Sequence, residues 1–150
     1  MLSTQEKVSY IDPTEEQTAQ TCDSATEVTE SDTTWGDDNN DGWYVVNGNV
    51  TIDQRVTVTG DVHLILADGY TLTASQGIHV DESQSLTIYG QSVGTGKLTA
   101  RGGFDQAGIG GNEDESGGTI TINGGTVTAN GGYGSAGIGG SRKAEGGTIT

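Results

Sequence analysis

The chain is poor in cysteine and proline. Its one cysteine, Cys22, cannot form an intrachain disulfide bond. It lies in a polar, acidic stretch without a neighbouring base, so we interpret it as a passive thiol, with interchain pairing open to it outside the cell. The one proline, Pro13, lies near the N-terminus, and every later residue keeps the backbone N–H group that a β-ladder uses.

Basic residues are scarce as well. Six Lys and Arg residues stand against 21 Asp and Glu residues, and residues 1–41 hold −10 of the net charge of −15. The largest basic cluster is Arg142-Lys143. The composition therefore argues against nucleic acid and anionic membranes as partners, because both attract groups of basic residues.

Long apolar runs are also missing, so the sequence predicts no membrane insertion. Residues 1–4 lack the charged and then apolar start of a signal peptide. We expect the chain to be a fragment of a larger secreted protein.

Glycine, in contrast, is abundant and recurs at a fixed interval. AGIGG at residues 107–111 returns at 136–140, and GGTIT at 117–121 returns at 146–150, both 29 positions later. Such a period is typical of a solenoid, in which each coil buries its apolar face only against the next coil.

Between the glycines, aliphatic residues alternate with threonine, which predicts β-strands with one face inside. We therefore expect an all-β fold, a parallel β-helix (β-solenoid) with three short strands in each coil of about 22–29 residues. Parallel crossovers are almost always right-handed, so a right-handed helix is expected. The inward residues predicted for one coil are Ile109, Ile120, Ile122, Val127 and Ala129.

Composition divides the chain into two parts. Residues 1–34 contain too little apolar surface to offset the entropy of ordering, so we predict an acidic, disordered tail or linker. Residues 35–150 form the predicted β-solenoid, with Trp35, Trp43 and Tyr44 capping its first edge. We expect the last rung to be truncated, and to fray or to self-associate end to end through its open edge.

Glycine pairs predict sharp corners between the strands. Gly118 and Gly125 are expected at positive φ, which side chains disfavour. The period also places Phe104 and Tyr133 at equivalent corners on adjacent rungs, and it predicts that their ring centroids lie within about 7 Å.

One corner differs in sequence between the two copies of the repeat: it is NEDES at residues 112–116 and SRKAE at residues 141–145. The period places Glu113 over Arg142 and Asp114 over Lys143, which predicts exposed ion pairs across the rungs. The alternative is a recognition loop on a rigid scaffold, so Glu113, Asp114 and Arg142 are candidate ligand contacts.

A pattern of possible calcium ligands precedes the repeats. Asp37, Asn39 and Asp41, followed by Gly42, fit the opening of a calcium-binding loop. The twelfth position is Gly48 and not the Glu that closes such a loop, so a polar hinge is the plainer interpretation. No other cofactor is indicated.

The sequence predicts that the protein is not an enzyme. His63 and His79 are expected to point outward on different faces, and we interpret them as surface residues without a carboxylate pair to work with. Pectin-degrading β-helices cluster aspartates on an outward strand, where this chain has threonine. The Thr-x-Thr pairs leave an ice-binding face as an alternative, although Lys97 interrupts the ladder and threonine is a favourable exposed strand residue.

The AGIGG repeats, GGTITINGG at residues 117–125 and GDVHLILA at residues 60–67 resemble the glycine-rich solenoid modules of large surface proteins in anaerobic Gram-positive bacteria. These modules are often labelled carbohydrate-binding. The resemblance spans residues 43–150 and implies a parallel β-helix in an extracellular, wall-associated protein. It supplies no ligand residues.

The leading hypothesis is therefore a non-enzymatic cell-surface module, either a structural spacer or an adhesin-like segment that binds an extracellular glycan or a host-surface protein. A glycan binder exposes an aromatic platform, and the candidate rings are Tyr70, Tyr89, Phe104 and Tyr133. A non-catalytic part of a carbohydrate-active enzyme is a further alternative.

Overall fold

A computed structural model describes residues 3–36, 41–142 and 144–150. These residues form sixteen β-strands and no helix, and so no helix that could span a membrane. In chain order the strands are β1 (Thr4–Ile11), β2 (Ala19–Glu27), β3 (Thr34–Trp35), β4 (Trp43–Val46), β5 (Val50–Ile52), β6 (Val56–Val58), β7 (Asp61–Leu66), β8 (Thr71–Ala74), β9 (Ile78–His79), β10 (Ser85–Tyr89), β11 (Lys97–Arg101), β12 (Ile109–Gly110), β13 (Thr119–Ile122), β14 (Thr126–Asn130), β15 (Ile138–Gly139) and β16 (Thr148–Ile149).

The strands make three sheets, in the orders β1-β2-β4-β7-β10-β13-β16, β5-β8-β11-β14 and β3-β6-β9-β12-β15. We call them the long, the four-stranded and the five-stranded sheet. Neighbours in each sheet come from successive coils, and every pair of these strands other than β1 and β2 is parallel.

The register confirms the predicted parallel β-helix. Ile109 pairs with Ile138, which is the expected 29-residue coil. Other coils differ in length: Leu64 lies 20 positions after its partner Tyr44, and the partner of Leu86 lies 34 positions after it. Each full coil contributes one strand to each sheet, and the length differences fall in the corners.

Aliphatic side chains from the three sheets fill the interior of the helix. Of the predicted inward residues, Ile109 and Ile120 are fully buried, while Ile122, Val127 and Ala129 are partly buried and pack against the same core. Burying a Leu or Ile side chain contributes about 1.5–3 kcal/mol, so this stack of matching residues is the main source of stability.

Two aromatic side chains close the first coil from within. Trp35 and Tyr44 are fully buried, with ring centroids 5.9 Å apart, and the Gly36 N–H donates to the Tyr44 hydroxyl at 2.7 Å. Trp43, which the sequence grouped with them, points to the outer face of the long sheet, because successive strand residues face opposite sides. It stacks on His63 of the next coil at 4.4 Å.

The expectation of a disordered tail over residues 1–34 is wrong for the described part of that segment. β1 and β2 form an antiparallel hairpin, and Thr26 and Glu27 of β2 pair in parallel with β4. The hairpin therefore extends the long sheet at its N-terminal edge.

A second apolar cluster holds the hairpin on the outer face of the long sheet. Its buried members are Val8, Cys22, Ala25, Val45, Ile65, Ala67 and Tyr89. The Ile11 N–H donates to the Gly90 carbonyl at 3.0 Å, and the Gln91 amide donates to the Ser9 carbonyl at 3.0 Å. The few apolar residues of the segment pack against the apolar outer face of the long sheet. Burial of this apolar surface offsets the conformational entropy that the hairpin loses on ordering.

Cys22 is buried by the same contact, with 7% of the residue exposed. Its thiol donates to the Ser24 carbonyl at 3.2 Å. Burial raises the pKa of the Cys22 thiol, which disfavours the reactive thiolate.

The two glycines expected at positive φ differ. Gly125 has φ of +77°, as predicted, whereas the prediction for Gly118 is wrong because its φ is not positive. Gly118 is required by close packing instead, since a Cβ there would lie 2.1 Å from the Asp81 carbonyl oxygen of the preceding coil.

We predict that Gly118→Ala lowers the free energy of unfolding by about 1–3 kcal/mol, because the methyl group forces two backbones apart. The melting temperature should fall by about 2–4 °C for each kcal/mol. Gly48→Ala is the control, since a Cβ there meets nothing within 4 Å. Equal melting of Gly118→Ala and wild type would show that the coils are not this close at the corner.

The docked hairpin can be tested through Cys22. We predict slow reaction of the native thiol with an aromatic disulfide reagent, and a reaction at least about tenfold faster in Val8→Asp, because an unpaired buried carboxylate costs more than the 1.4 kcal/mol that a tenfold shift requires. Ser9→Asp, at the exposed neighbouring position, should react like wild type. Fast labelling of all three proteins would show that the hairpin is not docked and that residues 1–34 are disordered after all.

Candidate ligand-binding corner

Phe104 and Tyr133 stack on each other at equivalent corners of adjacent coils. Their ring centroids lie 5.5 Å apart and their planes differ by 4°, which confirms the predicted stack. Phe104 is 76% exposed and Tyr133 68% exposed. We call the two corners, residues 102–107 and 131–136, the aromatic corner.

The strand pairs on either side of the aromatic corner place the two rings directly over each other. β11 pairs with β14 before the corner, and β12 pairs with β15 after it, both at the same 29-residue offset. The preceding coil turns through residues 75–77 alone and has no ring there. The Phe104 face turned away from Tyr133 therefore stays open, as its exposure shows.

A buried carboxylate lies beside the rings. Asp105 is 4% exposed, and its Oδ1 accepts no hydrogen bond from the residues that the structure describes. The Nε of Arg142 approaches this oxygen at 4.0 Å. The aliphatic part of Arg142 lies over Gly134, where a Cβ would come within 3.0 Å of the arginine Cδ.

Arg142 therefore belongs to the aromatic corner, and its expected pairing with Glu113 is wrong, since it approaches Asp105 instead. Asp105 was missed at the sequence level. A signal for it exists in the repeat, because Asp105 and its counterpart Gly134 both have positive φ, at 58° and 72°. Aspartate is one of the few residues with a side chain that tolerate this conformation.

Glu113 and Asp114 lie at a different corner. Asp114 lines a cavity of about 420 Å³ together with three more acidic residues, Asp81, Glu82 and Glu115. Lys143, the expected partner of Asp114, lies outside the described residues. The loop carboxylate with a defined partner is Glu115, whose Oε2 lies 2.6 Å from Nε2 of His79.

Tyr89 is not available as part of an exposed platform. It is 6% exposed, because the N-terminal hairpin covers it, and its ring stacks on Trp43 at 5.5 Å. Burial, with the nearby carboxylate of Asp12 as a smaller cause, raises the pKa of Tyr89 to about 12. Tyr70 is 40% exposed and lies at a separate corner.

The candidate calcium loop lies only partly within the described residues. Asp37 and Asn39 lie outside the described residues, and Asp41 is exposed with φ of 50°. No group of three His, Cys, Asp or Glu side chains within the described part of the chain is arranged to hold a metal ion.

Sequence reasoning also missed Arg55, which joins several coils. Its guanidinium donates to the carbonyls of Gln76 at 2.8 Å and Ala107 at 2.9 Å, and to the Asn112 side chain at 2.5 Å. Burial lowers the pKa of Arg55 to about 10, so the side chain keeps its charge at neutral pH. A lone arginine in a corner gives no sequence signal for this structural role.

Comparison with known proteins supports the same class of fold. A family model described as Beta helix repeat matches residues 94–113 and 120–142, which include both copies of the ring position. No curated protein and no solved structure matches the chain. The protein is a parallel β-helix, and its two matched segments are similar to the β-helix repeat.

Proposed function

We propose that this chain is a non-enzymatic module of an extracellular surface protein, a rigid β-solenoid spacer whose aromatic corner contacts a glycan. The observation that carries the proposal is the stack of two large, mostly exposed rings on adjacent rungs. Exposed apolar groups of this size are unfavourable in water and mark contact sites more often than isolated small ones do.

The chemistry of the aromatic corner suits a sugar. A pyranose ring has an apolar C–H face that packs on an aromatic ring, and the outer face of Phe104 is open for this contact. The guanidinium of Arg142, with 47% of its side chain exposed, can donate to ligand hydroxyls or carboxylates. A few polar groups around an apolar contact are typical of small-ligand sites.

The ladders support the proposed spacer role. Each coil is bonded to the next through all three sheets, so the module has no hinge between β4 and β15 at which it could bend freely. A stiff support positions a contact residue better than a mobile loop does. An adhesin-like role toward a host-surface protein would use the same exposed corner.

A glycan array probed with the wild-type chain and with Phe104→Ala/Tyr133→Ala tests the proposal. We expect wild type to select a set of glycans and the double variant to bind them at least about tenfold more weakly, because each ring contact contributes about 0.5–1.5 kcal/mol. Tyr70→Ala is the matched control, since it removes an exposed ring at another corner. A wild-type chain that binds no glycan, or a double variant that binds like wild type, would refute the glycan contact.

A second candidate, ice binding, is favoured by one observation. Thr51, Thr73, Thr99 and Thr128 occupy partnered positions on the outer face of the four-stranded sheet and form one straight column. In the neighbouring column Lys97 separates Thr71 from Thr126.

Thermal hysteresis distinguishes the two candidates. Ice binding predicts measurable hysteresis that rises in Lys97→Thr and falls in Thr99→Lys, because a flat hydroxyl lattice is extended or broken. Our leading proposal predicts no hysteresis in any of these proteins.

A further inference from the structure

A second cavity lies where the N-terminal hairpin crosses the first coil. It has a volume of about 290 Å³, and its lining consists of Tyr10 of β1, Thr21, Cys22, Asp23 and Ser24 of β2, Asp41, and Trp43 at the start of β4. It is separate from the aromatic corner, which belongs to later coils.

Two aromatic rings form one wall of this hairpin cavity. The ring centroids of Tyr10 and Trp43 lie 4.9 Å apart, and their planes are tilted by 43°. Tyr89 supports both rings, at 4.8 Å from Tyr10 and 5.5 Å from Trp43, and His63 stacks on Trp43 at 4.4 Å. These contacts hold the wall in place, and the faces of aromatic rings offer negative electrostatic potential to a bound cation.

The remaining lining adds negative charge and hydrogen-bond acceptors. Asp23 and Asp41 are the acidic residues of this lining, and Thr21 and Ser24 are its hydroxyl-bearing residues. Lys7, the only base in residues 1–41, is not among the residues that line the cavity. The surrounding segment holds −10 of the net charge, so the local field attracts small cations and repels anions.

We propose that the hairpin cavity binds a small organic cation with a quaternary or protonated ammonium headgroup. Tyr10 and Trp43 contact the apolar shell of the headgroup, while Asp23 and Asp41 balance its charge. Aromatic walls with nearby carboxylates are the combination that recognises quaternary ammonium groups, whereas a neutral sugar gains nothing from the charge.

Choline chloride is the probe, and 3,3-dimethyl-1-butanol is its uncharged counterpart of the same shape. Titration followed by tryptophan fluorescence should show choline binding at least about tenfold more tightly than the alcohol. The preference should shrink as salt is raised from low concentration to about 0.5 M, because the carboxylates are exposed. Choline should also slow the reaction of Cys22 with thiol reagents, since this residue lines the cavity.

Variants separate charge from shape. Asp23→Asn/Asp41→Asn should reduce choline affinity about tenfold and leave the alcohol unaffected. Asp53→Asn, which removes a carboxylate from a different cavity, is the control. Tyr10→Leu keeps an apolar wall without a π-system and should also reduce the preference for choline. The Cys22 labelling rate of each variant without ligand reports whether the hairpin is still docked.

Three results would overturn the proposal. Equal affinity for choline and for 3,3-dimethyl-1-butanol would show that the cavity recognises apolar shape and not charge. Glucose binding without choline binding would assign the cavity to neutral sugars. Choline affinity that is unchanged in the docked double variant would show that the carboxylates take no part. The loss of glycan binding in Phe104→Ala/Tyr133→Ala does not affect any of these outcomes.

Discussion

The in-register stacking of each coil on the next is the constraint on which the rest of this structure depends. Strands in a parallel ladder lie about 4.8 Å apart, so each inward side chain must fit against its own counterpart. Leu98 lies over Leu72, and Ala100 lies over Ala74. The same register aligns the threonine column outside and the two aromatic rings at the corner. Packing between coils therefore constrains the residues of the strands, whereas the residues of the corners and the hairpin are free to vary in chemistry.

Most of the solenoid could be predicted, because the 29-residue repeat sets the register of the last coils and the alternation of aliphatic residues with threonine indicates the strands of the earlier coils, which differ in length. The hairpin could not be predicted, because Val8 and Cys22 are isolated apolar residues in the sequence. They are buried against residues much later in the chain, such as Ile65 and Tyr89. The long sheet did contain a signal. Leu64-Ile65-Leu66 is a continuous apolar run, and such runs are typical of strands that are buried on both faces. The run therefore implied that a second layer covers Ile65, but it did not indicate which segment of the chain forms that layer.

The candidate site divides in the same way. The stack of Phe104 on Tyr133 follows from the ladder period, so it was predictable. The approach of Arg142 to Asp105 depends on backbone conformation inside the corner, where Asp105 has φ of 58°. Glu113 follows a separate turn, in which Asp114 also has positive φ, and the period no longer decides its neighbours. Contacts between corners of different shape therefore need the structure, whereas side chains at equivalent positions of adjacent coils follow from the repeat.

The two proposed binding sites lie outside the core, and their positions suggest how a β-helix can add ligand contacts without disturbing its stack. The coil before Phe104 turns through three residues, while the next two coils use longer corners that display a ring. Extra corner residues cost little, because the entropy of closing a loop grows slowly with its length and the ladders on both sides remain intact. The hairpin likewise adds its cavity outside the core, on a face that the stack does not need. A β-helix can thus acquire contacts one corner at a time, while the free energy that holds it together stays in the strands.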